Sequence, residues 1–216
     1  MKTVLITGTS RGIGLATARK FLDKGWFVLG TSTSLTATLK HPNYKHYQLN
    51  LSDSESIKSC ANIIKKQNTQ IDVLICCAGA SFEPDENKID ISVLRRVLEI
   101  NLIGTIDFTE QMLPAIKPSG YIVAVSSKMS SLVNFNNGDC PAYRISKTAL
   151  NMYLKTLADR LKNITVSAFD PGWVKTDMGG KDAPRLPEEP ADELFSLIAS
   201  NHPTGNFWFK GKIRSW

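Results

Sequence analysis

The sequence lacks any long apolar run. Its most hydrophobic stretches, such as Val73 to Ala78, fall far short of the roughly 18 residues that a membrane span needs. The apolar stretch near the N-terminus, Thr-Val-Leu-Ile-Thr-Gly, is too short for the core of a signal peptide. A soluble, cytoplasmic protein with no membrane partner is therefore expected. Cysteine is scarce: Cys60, Cys76, Cys77 and Cys140 show neither a CxxC pair nor any metal spacing. His41, His46 and His202 have no H-E-x-x-H or paired-carboxylate context, so no metal site is expected. Lys and Arg exceed Asp and Glu by 26 to 20, a net charge of +6. No basic run reaches the length of a nucleic-acid arm, so that excess reads as a solvated surface and nucleic acid is not an expected partner. No linker or fixed-period repeat interrupts the 216 residues, which suits one domain.

Short apolar segments alternate with segments of helical periodicity. Strands are predicted at Val4 to Ile6, Trp26 to Gly30, Tyr44 to Leu49, Ile71 to Cys76, Tyr121 to Val125, Ile164 to Phe169 and Asn206 to Phe209. Helices are predicted from Gly12 to Lys24, Ser54 to Gln67, Ile91 to Met112, Ala142 to Leu161 and Ala191 to Ser200. This order predicts an α/β chain: a doubly wound parallel sheet of about seven strands covered by helices on both faces. The Pro-rich stretch from Ala183 to Pro190 reads as a loop over an active site. Ligands of such sheets bind beyond the carboxyl ends of the strands, where the strand order switches.

The segment Thr7-Gly8-Thr9-Ser10-Arg11-Gly12-Ile13-Gly14 lies between the first strand and the first helix. Glycines there permit positive φ and close backbone approach, and the helix start presents N–H groups and a positive dipole end to a pyrophosphate. Further along, Tyr143 and Lys147 are four residues apart, so they share one helix face. A nearby ammonium favours the phenolate, which would bring a tyrosine, ordinarily titrating near about 10, within reach of acid–base work. Ser126 and Ser127 end the fifth strand, and alternation lets only one of them face a site there.

These residues, in this order, resemble the short-chain dehydrogenase/reductase family. The glycine loop reads T-G-x3-G-x-G, Asn101 lies in Glu99-Ile-Asn-Leu-Ile-Gly104, Tyr143-Arg-Ile-Ser-Lys147 is a Y-x3-K pair, and Pro171-Gly-Trp-Val-Lys-Thr176 follows the sixth strand. The segments 142–152 and 171–180 resemble the branch of C-factor proteins and sniffer-type carbonyl reductases. The resemblance covers the whole chain. It implies a single-domain Rossmann fold of strand order 3-2-1-4-5-6-7, with a short C-terminal substrate region at about 178–204. It also implies hydride transfer between a nicotinamide and a small carbonyl or alcohol substrate.

By that resemblance the catalytic residues are Ser127, Tyr143, Lys147 and Asn101. Ser127 steers the carbonyl, Tyr143 is the acid/base, Lys147 holds the nicotinamide ribose, and Asn101 positions a relay water. The cofactor-binding residues are Gly8, Ser10, Arg11, Gly12, Ile13, Gly14, Thr33, Asn50, Leu51, Cys77, Ala78, Gly79, Pro171, Gly172, Val174 and Thr176, together with Tyr143 and Lys147. NADP(H) is expected over NAD(H). The second strand ends in Gly30-Thr-Ser-Thr-Ser34 with no carboxylate to repel a 2′-phosphate, and Arg11 can pair with one.

Two departures stand out. Cys76-Cys77-Ala78-Gly79 replaces the family's N-N-A-G, with buried packing the expected role for both thiols. The separation of 16 positions between Ser127 and Tyr143 exceeds the usual interval, the extra length being expected in 134–140. A homodimer through the helices at 91–112 and 142–161 is expected. The C-factor likeness keeps a second reading open, a dinucleotide-binding sensor with little turnover. A sugar-nucleotide epimerase is disfavoured, because only 38 residues follow Met178.

Overall fold

The computed structural model describes residues 1–67, 70–83, 88–133, 135, 137–200 and 202–216. In chain order the elements are β1 (Thr3–Thr7), α1 (Gly12–Asp23), β2 (Phe27–Ser32), β3 (Tyr44–Gln48), α2 (Ser54–Lys66), β4 (Ile71–Cys76), α3 (Ile91–Leu98), α4 (Gly104–Met112), β5 (Ile116–Val125), α5 (Pro141–Arg160), β6 (Thr165–Phe169), α6 (Glu188–Ala199), β7 (Asn206–Phe209) and β8 (Lys212–Arg214). The strands form one sheet in the order β3-β2-β1-β4-β5-β6-β7-β8. All neighbours are parallel except β7 and β8.

Alternation along the central strands divides the core between two faces. Leu5, Leu74, Cys76, Ile122 and Ala124 pack with residues of α2, α4 and α5. Val4, Ile6, Val73, Ile75 and Val123 pack with residues of α1 and α6. The near-continuous apolar reading of β1 and β4 is the signature of strands covered on both sides. This is the doubly wound parallel sheet expected from the order of segments, in the Rossmann strand order that the resemblance implied. Its strand order reverses at β1, which opens a crevice beyond the carboxyl ends of β1 and β4.

The structure departs from the sequence-based expectations in four places. The helix expected over 91–112 is broken by a π-helical turn, Glu99–Ile103, between α3 and α4, and Asn101 sits inside it. Gly104 follows at a point where a Cβ would lie 1.8 Å from the Leu51 carbonyl oxygen, so only glycine lets the helix approach the β3–α2 loop. β5 starts at Ile116 rather than Tyr121 and carries a register shift before Tyr121. Pro118 and Ser119, the latter at φ +66°, account for it. α6 starts at Glu188 with Pro187 at its N-cap, so Glu188 to Pro190 enter the helix rather than a loop; proline is tolerated in a first turn, where Glu188 and Glu189 also meet the helix dipole favourably. Finally, Lys210 and Gly211, both at positive φ, form a two-residue hairpin turn into the antiparallel β8. In the lengthened segment 134–140, positions 134 and 136 lie outside the described residues.

Candidate active site

The glycine loop closes the amino-terminal side of the crevice. Gly8 has φ +77°, and a Cβ on it would lie 2.9 Å from the Ala78 Cα; a Cβ on Gly14 would lie 2.1 Å from the Gly8 carbonyl oxygen. The loop therefore touches itself and the end of β4 so closely that side chains are excluded. Thr7 Oγ1 accepts the Cys77 and Ala78 N–H groups, each at 3.0 Å, which fastens the two loops together. α1 begins without a side-chain cap, whereas Asp53 and Asp90 cap α2 and α3. Its first N–H groups are left facing the groove.

A groove of about 310 Å³ runs across this crevice. Of the sequence-predicted residues, Gly8, Ser10, Arg11, Gly12, Ile13, Gly14, Thr33, Asn50, Leu51, Cys77, Ala78, Gly79, Tyr143, Lys147 and Thr176 line it. Pro171, Gly172, Val174, Ser127 and Asn101 do not, although each stands on a loop or turn beside it. Val174 is buried and bridges to Arg185. Gly172 instead borders a larger open cavity of about 1350 Å³ with Arg185, Glu193 and Arg214. Eight lining residues were not among the predicted site residues: Thr31, Ser32, Leu49, Ala80, Ile100, Val125, Asp177 and Met178.

At the β2 end, Thr31 is buried and its Oγ1 has no hydrogen-bond partner. Ser32 and Thr33 follow it into the groove, and Ser32 Oγ shares a 2.9 Å hydrogen bond with His46 Nε2. Asn50 Oδ1 accepts from the Ser52 N–H and hydroxyl at 3.1 and 2.8 Å. Arg11 forms a 2.6 Å ion pair with Asp177 in which both side chains are largely exposed. Thus the guanidinium expected to meet a phosphate already holds a carboxylate across the groove.

At the other end, α5 presents Tyr143 and Lys147 toward the groove. Ser126 turns inward, donating to Asn151 Oδ1 at 2.7 Å, and Ser127 stands close enough to the Tyr143 phenol to favour its ionised form. Lys147 is buried; its ammonium donates to the Val125 carbonyl at 2.8 Å and stands 5.6 Å from the Tyr143 ring centroid. Burial brings Lys147 down to about 8. Burial pushes the Tyr143 phenol up, with Ser127 opposing and Asp170, Cys140 and Cys77 adding to the rise. The phenol therefore moves opposite to the direction expected from a nearby ammonium: loss of solvation leads, and the groups that act on it do not include Lys147.

Asn101 is fully buried. Its Oδ1 accepts from the Ala80 N–H, and its Nδ2 donates to the Ala80 carbonyl and to Ser146 Oγ, at 2.8, 2.8 and 3.1 Å. Both amide hydrogens are engaged, so the side chain braces the loop above Lys147. A Cβ on Gly79 would lie 3.4 Å from Asn101 Oδ1 and 3.5 Å from Lys147 Nζ. Burial pushes the Cys76 and Cys77 thiols up to about 11 and about 12, far from the reactive thiolate form. Among the described residues no group of three His, Cys, Asp or Glu side chains could hold a metal ion, and no helix is long and apolar enough to cross a membrane.

The Pro171-Gly172 turn is held from behind. Arg185 donates to the Pro171 carbonyl at 2.5 Å, and Asp170 Oδ1 accepts from the Gly172 N–H at 2.9 Å. Asp170 is in turn paired with Arg214 of β8. The residues present fit a dinucleotide: a cradle that any Cβ would fill, an uncapped helix start, an orphaned hydroxyl at β2, and no carboxylate at that strand's end.

Comparison with known proteins agrees with this geometry. The family model described as short chain dehydrogenase matches residues 2–186. A carbonyl reductase [NADPH] 1 of Macaca fascicularis is 26% identical, the match covering 100% of this chain and 99% of that protein. The NADPH-bound carbonyl reductase from chicken fatty liver superposes with a TM-score of 0.92 at 25% identity, covering 100% of this chain and 94% of that one. The carbonyl reductase Sniffer of D. melanogaster gives a TM-score of 0.92 at 24% identity, with 100% of both chains covered.

Proposed function

The chain belongs to the short-chain dehydrogenase family, and on that premise we propose that it is an NADPH-dependent reductase of small carbonyl compounds, acting as a single domain. The observation that carries this reading is the pairing of Tyr143 and Lys147 at one end of the glycine-lined groove, with Ser127 beside the phenol. When bound, the nicotinamide cofactor supplies the hydride.

Gly8, Gly12, Gly14 and the start of α1 would hold the pyrophosphate, and Ser32, Thr33 and Arg11 the 2′-phosphate. Ala78, Gly79, Asn50 and Leu51 would border the adenosine. Pro171, Gly172, Val174 and Thr176 would stand beside the nicotinamide, and Lys147 would hold its ribose. Ser127 orients the carbonyl oxygen of the substrate. Tyr143, its phenol kept protonated by burial, donates its proton to that oxygen as negative charge develops there. A protonated phenol at neutral pH suits the reductive direction. NADPH is favoured over NADH because nothing acidic faces the 2′-phosphate at β2.

The short segment from about 178 to 204 would form the substrate-facing region. Ile145 and Met152 of α5 are exposed and border one surface cavity with exposed Leu132 and Phe135. A contiguous apolar surface of that kind marks an interface, and we assign it to a homodimer. The deciding experiment is NADPH oxidation across a panel of aldehydes, ketones and quinones, run beside Tyr143→Phe. Turnover by the wild type and none by the variant is expected; NADPH binding without turnover on any carbonyl would favour a sensor instead.

A further inference from the structure

The helix that carries Tyr143 begins without a local cap. Cys140 occupies the N-cap position at φ +48° with no side-chain cap hydrogen bond, and Pro141 follows. The N–H groups of the first turn are met from elsewhere in the chain. Glu83 Oε1 accepts from the Ala142 N–H at 2.5 Å and Oε2 from the Tyr143 N–H at 3.2 Å, across 59 and 60 residues of sequence. A carboxylate suits that place, being acceptor-only and negative at the positive end of a helix dipole.

Glu83 is itself anchored. Ser81 Oγ donates to its Oε2 at 3.4 Å, and the ring of Phe82 lies 4.2 Å from the Arg96 guanidinium. Ala80 is clamped by Asn101. On the far side of the same residue, Ser146 Oγ donates to the Tyr143 carbonyl at 2.7 Å while accepting from Asn101 Nδ2. Both peptide groups of Tyr143 are therefore tied to the segment 80–83, one through Glu83 and the other through Ser146 and Asn101. That segment continues directly from Ala78 and Gly79, which line the groove.

We propose that Glu83 is a positioning residue for Tyr143, fixing the first turn of α5 against the segment that borders the cofactor groove. That carboxylate is one of the two ties that set the proton donor and the groove relative to one another. The proposal deepens the reductase reading, and only its kinetic test rests on that reading.

The full chain is compared with Glu83→Ala and Glu83→Gln. Amide hydrogen exchange followed by NMR reads the tie directly. In Glu83→Ala, exchange at Ala142 and Tyr143 should accelerate about tenfold or more while amides in β4 and β5 stay protected; unchanged exchange at Ala142 and Tyr143 overturns the proposal. In kinetics well below the unfolding temperature, Glu83→Ala should lose about tenfold or more in kcat, with the NADPH dissociation constant unchanged. The isotope effect from 4-deuterated NADPH should rise. Glu83→Gln should recover part of kcat, because its amide oxygen still accepts. Faster exchange with an undiminished kcat reduces Glu83 to a helix cap and overturns the proposal, as does an equal loss of kcat and NADPH affinity. If the wild type reduces no carbonyl, the reductase reading fails, and the positioning role is read from Tyr143 itself. Ultraviolet difference titration of each protein against its Tyr143→Phe counterpart should show the phenol midpoint moved by about half a pH unit or more in Glu83→Ala; an unmoved midpoint overturns the proposal there.

Discussion

Asn101 grips Ala80 from both sides, accepting from its N–H and donating to its carbonyl, each at 2.8 Å. A side-chain amide can do this because it carries an acceptor and a donor on one planar group. The grip is what holds the Gly79 backbone over Lys147, and it is available because the π-helical turn Glu99–Ile103 rotates Asn101 out of the register of α3.

Replacing that amide should cost both stability and rate. Asn101→Ala leaves Ala80 N–H, Ala80 C=O and Ser146 Oγ without this partner inside the protein. Each buried group left unsatisfied costs about 1–3 kcal/mol, and a domain of this size loses roughly 2–4 °C in Tm per kcal/mol. A fall of several degrees by calorimetry is expected. Asn101→Asp keeps the shape and the acceptor but loses both donors. It should therefore lose kcat nearly as severely as Asn101→Ala, and near-normal turnover by Asn101→Asp would show that donation to Ala80 and Ser146 is dispensable.

The pH profile should report Lys147 before Tyr143. Burial lowers Lys147 to about 8, so its ammonium is charged below that pH and neutral above it. Burial raises Tyr143, so its proton is retained across the same range. Reductase kcat/KM should therefore be steady at neutral pH and decline as pH rises through about 8, while alcohol oxidation, which needs the phenolate, should strengthen at still higher pH. Lys147→Arg, charged at all these values, should move the decline upward if the variant remains active. A reductase profile flat from neutral to strongly alkaline pH would show that the charge on Lys147 is not required.

Much of this site was legible because its chemistry is local in sequence. The glycine loop, the Y-x3-K pair on one helix face and the apolar β4 each follow from residues a few positions apart. The ties between distant segments were not legible. Glu83 meets Ala142 and Tyr143, and Asp170 meets Arg214, through side chains that carry no periodic signal and lie on loops or edges. The π-helical turn was invisible because its residues fit a helical pattern as well as any others; only Gly104, pressed against the Leu51 carbonyl, hints at it. The antiparallel β8 had a signal that went unread: Lys210-Gly211 before Lys212 is a hairpin turn written in two residues.

Cofactor preference should respond to Asp177 as well as to Arg11. The Arg11–Asp177 pair is exposed on both sides, and such pairs contribute only about 0–1 kcal/mol to stability. Asp177→Asn should leave Tm nearly unchanged, free the guanidinium for a 2′-phosphate, and raise NADPH affinity relative to NADH. Arg11→Ala should do the opposite. A charge-assisted hydrogen bond to phosphate is worth about 1.5–3 kcal/mol, roughly ten- to hundredfold in kcat/KM with NADPH, with NADH nearly unaffected. An equal loss with both cofactors in Arg11→Ala would assign Arg11 to bracing the glycine loop.

Tyr143→Phe is the most exacting of these variants because it changes one atom. The ring, its packing and its place above Lys147 are kept, so NADPH binding should stay close to wild type and Tm should hardly move. What is lost is the hydroxyl beside Ser127 that supplies the proton. General acids contribute about 10²–10⁴-fold, and turnover should fall by at least that order. Lys147→Ala should differ in kind, lowering both turnover and cofactor affinity, because one ammonium is asked to serve the ribose and to sit 5.6 Å from the phenol ring. Steady-state kinetics and NADPH fluorescence titration on the same preparations separate the two patterns. Near-normal reduction by Tyr143→Phe would mean that the proton reaches the substrate oxygen from another group, and the mechanism built on this helix would be withdrawn.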